Sequence, residues 1–382
     1  MRTRYIFLLL LFMLPATLPA QWIEDEKINA LIDAGIQDTY SMRFEKADAA
    51  FRSVVQKYPE HPAGHFLLAM VEWWRILIDI ENETRDDRFH DMLDRVIDLC
   101  DRRLDRDERD IAGLFFKGGA IGFQGRLHAN RKSWVSAATR GKEALPVVMD
   151  AAELAPDNAD LAFGTGIYDY YAAVLPERYS VLKPLMMFLP EGDRARGIRG
   201  LKHAAEKGRF ANWEAMYFLL QINYSMENRP STALKYARKL RAQFPENPVF
   251  HRYLGRTYIK LGNWARAAQV FADIHAAAQK EKRGYSARMQ REASYYLGYA
   301  ALIGKNPGEA IRHFVECDRL SRSLDEEPSG FMIMANLRMG MAHDMMAQRK
   351  YAIKQYEKVL RMPDYSGSHD IAARHRKTPY SH

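Results

Sequence analysis

The chain has 382 residues, 47% hydrophobic and 27% charged, a balance that excludes a disordered or fibrous protein and leaves room for two ordinary domains or one long array. The formal net charge of +8 is modest for this length and weakly favours acidic partners. Two cysteines, Cys100 and Cys317, exclude a disulfide framework; in DRVIDLC and IRHFVEC both sit at apolar helical positions and read as buried free thiols.

Residues 1–20 read as an export signal. Arg2 and Arg4 precede an apolar core, Tyr5 to Leu14, which Pro15 interrupts, and Ala20 offers a small residue for cleavage before Gln21. The core falls short of the roughly 20 apolar residues that a membrane span requires. The expectation is a chain cleaved after Ala20 and exported, to the periplasm of a bacterial envelope, where nucleic acid is not an expected ligand.

Helical pairs follow. AGIQDTYSMRFEKADAAFRSVVQKYPEHP places Gly35, Ala47, Phe51 and Pro59 at regular offsets. HPAGHFLLAMVEWWRILIDI and FHDMLDRVIDLCDRRL form a looser pair around the turn NETRDD. FFKGGAIGFQGRLHANRKSW then carries Gly118, Gly119, Gly122 and Gly125 ahead of Arg126, Arg131 and Lys132. No strand precedes these glycines, and neither G-x-G-x-x-G nor G-x-x-x-x-G-K-[ST] occurs, so a phosphate loop is not indicated. Gly118, Gly122 and Gly125 share one helix face, and the spacing predicts close approach of a neighbouring helix. GKEALPVVMDAAELAPDN ends like a repeat, at Ala144, Ala151 and Pro156.

Further on, Leu220, Tyr224, Ala233 and Pro245 restore the first register. Leu254, Gly255, Tyr258, Ala267 and Phe271 repeat it, as do Leu297, Gly298, Ala310 and Phe314, and then Met339, Gly340, Ala352 and Tyr356. Small residues where two helices cross, with large ones filling the gaps, resemble the tetratricopeptide repeat. Strand alternation is missing. The expected fold is all-α: about eight helix-turn-helix pairs stacked into a right-handed superhelical solenoid over residues 21–364, with a basic flexible tail at 365–382.

The middle segment, Phe163 to Ala204, carries Gly164 and Gly166, Leu175-Pro176, a hydrophobic stretch, and then Gly192-Asp193-Arg194 opening a helix with Gly197 and Leu201. It resembles the Iml2 / tetratricopeptide repeat 39 family; the likeness extends to Phe116–Gly119 and implies fold rather than activity. The Pro-rich insertion within it, residues 175–192, is the one non-repeat feature. Leu182, Leu185, Met187 and Phe188 make it either a buried plug, an exposed docking loop or a site of peripheral membrane contact.

No catalytic signature is present. None of the 12 histidines opens an H-E-x-x-H motif, and G-x-S-x-G and C-x-x-C are absent. No enzyme activity, cofactor or metal is expected. The repeat offsets that line a concave groove select Phe218, Ile222, Arg252, Arg256, Tyr295, Tyr299 and Met341, rich in the residue types that anchor interfaces. The expected function is an exported scaffold that binds a protein or peptide, acidic with apolar anchors. The alternative is an envelope carrier or chaperone for an apolar ligand, using residues 175–190.

Overall fold

The computed structural model describes residues 23–179, 183 and 189–381, among which there are seventeen helices and no strand. Residues 1–20, expected to be an export signal, and Leu182, Leu185, Met187 and Phe188, expected as a plug or docking loop, lie outside the described residues. Eight antiparallel pairs run in order. They are α1 (Glu26–Tyr40) with α2 (Phe44–Lys57), α3 (Pro62–Ile78) with α4 (Asp86–Leu104), α5 (Ile111–Asn130) with α6 (Trp134–Leu154), and α7 (Leu161–Arg178) with α8 (Arg194–Lys207). Then come α9 (Asn212–Gln221) with α10 (Pro230–Gln243), α11 (Pro248–Lys260) with α12 (Trp264–Gln279), α13 (Ala287–Ile303) with α14 (Pro307–Leu324), and α15 (Gly330–Met345) with α16 (Arg349–Leu360). A last helix, α17 (Ser368–Lys377), follows.

Local chemistry sets the boundaries. Asp25, Asp110 and Asp193 accept backbone N–H groups at the starts of α1, α5 and α8, and Asn247, Asn263 and Asn306 do so for α11, α12 and α14. Pro62, Pro230, Pro248 and Pro307 occupy first turns, where no N–H is needed. One turn recurs within six of the pairs. Met42, Lys132, Asn228, Gly262, Lys305 and Ala347 all take positive φ, between 48° and 69°, and reverse the chain into the second helix.

The small-to-large crossing expected from the repeats is the packing device. A Cβ on Gly35, Gly255, Gly298 or Gly340 would meet the ring of Phe51, Phe271, Phe314 or Tyr356 at 2.5–2.9 Å. Each of those rings is fully buried. First helices of successive pairs, such as α1, α3, α5 and α7, also touch one another closely, which curves the array with the first helices inside.

The array then closes on itself. Tyr40, at the end of α1, stacks on Phe244 with ring centroids 5.2 Å apart, and its carbonyl accepts from Asn247 Nδ2 at 2.9 Å. Trp74 of α3 lies edge-on to Phe250 of α11 at 5.5 Å. Arg283, between α12 and α13, donates to Met42 O at 2.9 Å and pairs with Glu45, while Arg209 pairs with Asp33. One hydrophobic core therefore joins α1–α5 to α9–α11, while α6–α8 contribute to two smaller clusters around Leu161 and Tyr170. Beyond it, separate small clusters succeed one another from Tyr258 to Ala372.

The terminal segment read as a flexible tail is corrected. Residues 368–377 form α17, which buries Ala372 against α15 and α16. Arg349 donates to Arg376 O at 2.7 Å, and His369 Nε2 lies 2.8 Å from Met362 O. Ile371 and Ala372 on a strongly charged helix gave little apolar signal, yet they cover the open end of the last pair, as a capping helix must in a stacked array.

Candidate functional site

Phe218 and Ile222 do not line an outer groove. Ile222 is fully buried with Tyr170, Val174 and Leu201, in a π-helical turn, Ile222–Met226, that prolongs α9 and shifts its register. Phe218 is 7% exposed and faces inward, its ring 4.3 Å from the Arg126 guanidinium. Arg126 pairs with Glu214, whose second oxygen accepts the Tyr40 hydroxyl at 2.9 Å. Burial and the neighbouring carboxylate push the Tyr40 phenol well above its ordinary range, so it stays a donor.

Arg252 and Arg256 do project together, one turn apart on α11. What they hold is the chain's own Glu292, on α13. Arg252 Nη2 lies 2.6 Å and Arg256 Nε 2.5 Å from its carboxylate, which is 1% exposed. Burial would raise the Glu292 pKa, but the two guanidiniums outweigh it and hold it below the usual carboxylate range. The expectation that these arginines stand free for an acidic partner is thus corrected: the carboxylate comes from the next pair. Glu292, in MQREASYYL, reads in sequence as one more charge on a helix.

Tyr295 is buried among α13, α14 and α15 and belongs to the core rather than to a surface. Tyr299 is half-buried, edge-on to Trp264 at 4.8 Å. Met341, also half-buried, bridges the last two clusters. Between them stands Arg338, which the repeat offsets pass over although they select Met341. Its guanidinium lies 3.7 Å from the Tyr299 ring centroid and 5.0 Å from that of Tyr295. Nη1 is buried and meets no hydrogen-bond acceptor among the described residues. Burial without a facing carboxylate pulls this arginine down to about 10. The guanidinium is thus a desolvated cation on an aromatic platform, between the first helices of two pairs. A lone arginine within FMIMANLRMGM was the available signal.

The glycine-rich α5 packs as expected at two positions. A Cβ on Gly118 would meet Val148 at 2.8 Å, and one on Gly125 would meet Arg140 Cβ at 3.2 Å. Gly122 differs: nothing lies within 4 Å of its Cβ position, because it is exposed and faces an open-mouthed cavity. Both thiols are free and buried, and burial pushes Cys100 and Cys317 up to about 12, so neither is nucleophilic.

Comparison with known proteins supports the repeat assignment. A tetratricopeptide-repeat family model matches residues 225–290, from the end of the α9 extension into α13. No curated protein matches the chain. Among solved structures, the chain is similar to human IFIT1 in a dimer with PPP-AAAA, at 15% identity and a TM-score of 0.40, covering 84% of this chain and 69% of that one. The chain is an all-α solenoid of helix pairs, with a tetratricopeptide-repeat match over residues 225–290.

Proposed function

We propose that the protein is an exported, non-catalytic scaffold that holds an acidic segment of a protein partner along the first helices of its last three pairs, with Arg338 as the carboxylate anchor. The observation that carries this reading is the Arg338 guanidinium, desolvated over Tyr299 and Tyr295 with a buried nitrogen that no acceptor meets. Arg252 and Arg256, which the sequence offered for this task, already have a carboxylate; among the described residues Arg338 meets none. Trp264 and Met341 beside it supply half-buried apolar area for anchors. Stacked repeats present such surfaces on the concave side. Export is read from residues 1–20, where Arg2 and Arg4 precede the apolar core Tyr5 to Leu14 and Ala20 offers a cleavage site.

Binding to an array of acidic peptides tests the anchor. Arg338→Gln should weaken the best ligands about 10- to 100-fold, the value of one charge-assisted hydrogen bond, while Arg338→Lys retains part of the affinity. Equal binding by Arg338→Gln and wild type would overturn the assignment. Export is tested by the N-terminus of protein from a secreting host, expected at Gln21; an intact Met1 in the membrane fraction would contradict it.

A further inference from the structure

The closed turn has a lumen. Helices α1, α3, α5, α6, α7 and α9 wall a cavity of about 630 Å³, lined mainly by apolar and aromatic side chains such as Phe66, Met70, Phe123, Leu145 and Ile167. Protein interiors hold few voids larger than a water molecule, whereas ligand sites run from about 300 to 1,000 Å³. The wall keeps the space open with absent side chains. A Cβ on Gly122 of α5 or Gly141 of α6 would touch nothing within 4 Å, although each sits in a helix, where glycine weakens the structure.

The polar groups of the wall indicate what enters. Arg126 and Glu214 neutralise each other, Glu214 also takes the Tyr40 hydroxyl, and the faces of the guanidinium lie against Phe218 and Trp73. Asp160, the third charged side chain of the wall, is 3% exposed and accepts the backbone N–H groups of Arg209, Phe210 and Ala211. Among the described residues, every charge lining the lumen therefore has a partner within the protein. At its rim Trp134 stacks on Tyr179, with centroids 6.2 Å apart and both residues exposed, beside Val135, which is 73% exposed. Aromatic rings of this kind sit well where an apolar interior meets water.

We propose that the lumen binds the hydrocarbon tail of a single-chain amphiphile, a long-chain fatty acid or a lipid acyl chain, with the polar head left in water at the Trp134–Tyr179 rim. This site is independent of the Arg338 groove. The test uses the full mature chain stripped of lipid on a hydrophobic resin. Fluorescence titration with cis-parinaric acid should show saturable one-to-one binding that oleate displaces, and native mass spectrometry should show one bound oleate. Co-sedimentation with phosphatidylglycerol vesicles reports the source: pelleting abolished by prior oleate loading identifies an acyl chain drawn from a bilayer, and no pelleting identifies a free fatty acid. Gly122→Leu and Gly141→Leu extend into the lumen from positions where an added Cβ meets nothing within 4 Å. Each should reduce oleate affinity at least about tenfold, a difference of 1.4 kcal/mol, with a melting temperature no lower than wild type. Absence of one-to-one binding by the wild type would overturn the proposal, as would undiminished oleate binding by both leucine variants.

Discussion

Residues 23–250 and residues 258–377 use the same helix pair to build two different objects. In the first, Tyr40, Trp74, Tyr217 and Phe250 join helices far apart in sequence around one core. In the second, each cluster links only neighbouring pairs, as Phe271 with Tyr296 or Tyr295 with Phe331. The lesson is that curvature, more than the repeat itself, decides what a solenoid offers. Where the array closes it walls a lumen; where it stays open each pair packs only on its neighbours.

Several substitutions probe this contrast. The largest effect is expected from Arg252→Glu with Arg256→Glu, which would set two new carboxylates against the buried Glu292. Breaking a buried ion pair costs about 3–5 kcal/mol, so thermal denaturation should show a large fall in melting temperature. Unchanged melting would return these arginines to the surface and blur the boundary between the two regions at α11–α13.

Acid should act next, through the closing helix. Burial lowers the His251 pKa to about 3, and its Nδ1 lies 3.0 Å from the Tyr285 hydroxyl. A histidine whose folded pKa is depressed favours the folded state above its unfolded value near 6.5, and that advantage is lost as pH falls from there towards 3. Between pH 6.5 and 5 the loss is about 2 kcal/mol for this group. Chemical denaturation across that range should show the slope, and His251→Gln should flatten it; an identical slope in the variant would show that other groups govern acid sensitivity.

Closure itself is weighed by a pair of caps. Asn247 caps α11 and also donates to Tyr40 O, whereas Asn306 only caps α14 and touches its Glu309. A lost cap costs about 1 kcal/mol, and the extra buried hydrogen bond about 1 kcal/mol more. Asn247→Ala should therefore destabilise more than Asn306→Ala in urea titrations, and equal losses would mean that closure adds nothing. The smallest effect is expected at Ala347, with φ of 58° in the last recurrent turn. Ala347→Gly should stabilise by about 0.5–1 kcal/mol, since alanine pays for a left-handed conformation that glycine adopts freely; a lower melting temperature would contradict that.

The sequence spells out the pair but not the closure. Gly255 against Phe271 is a local rule, repeated at fixed spacing, and the register, pair count and buried thiols all follow from it. Tyr40 on Phe244 is a contact across some two hundred residues with no periodic signature, so the lumen was invisible and Gly122 looked like Gly118. The groove failed for a related reason: periodicity assigns a face, but it cannot say that Glu292 of the next helix takes up Arg252 and Arg256. Nor does it register a π turn that carries Ile222 inward, or one residue of offset that separates Arg338 from Leu337.

The claim that one region is a closed turn and the other an open array is tested most directly by native-state hydrogen exchange, read peptide by peptide. In a simple linear array both ends open most readily. Closure predicts instead that α1 and α3 exchange with the same high opening free energy as α9 and α11, while α15 to α17 open at lower cost. Opening free energies that fall symmetrically from the middle of the chain towards α1 and α17 would contradict the account.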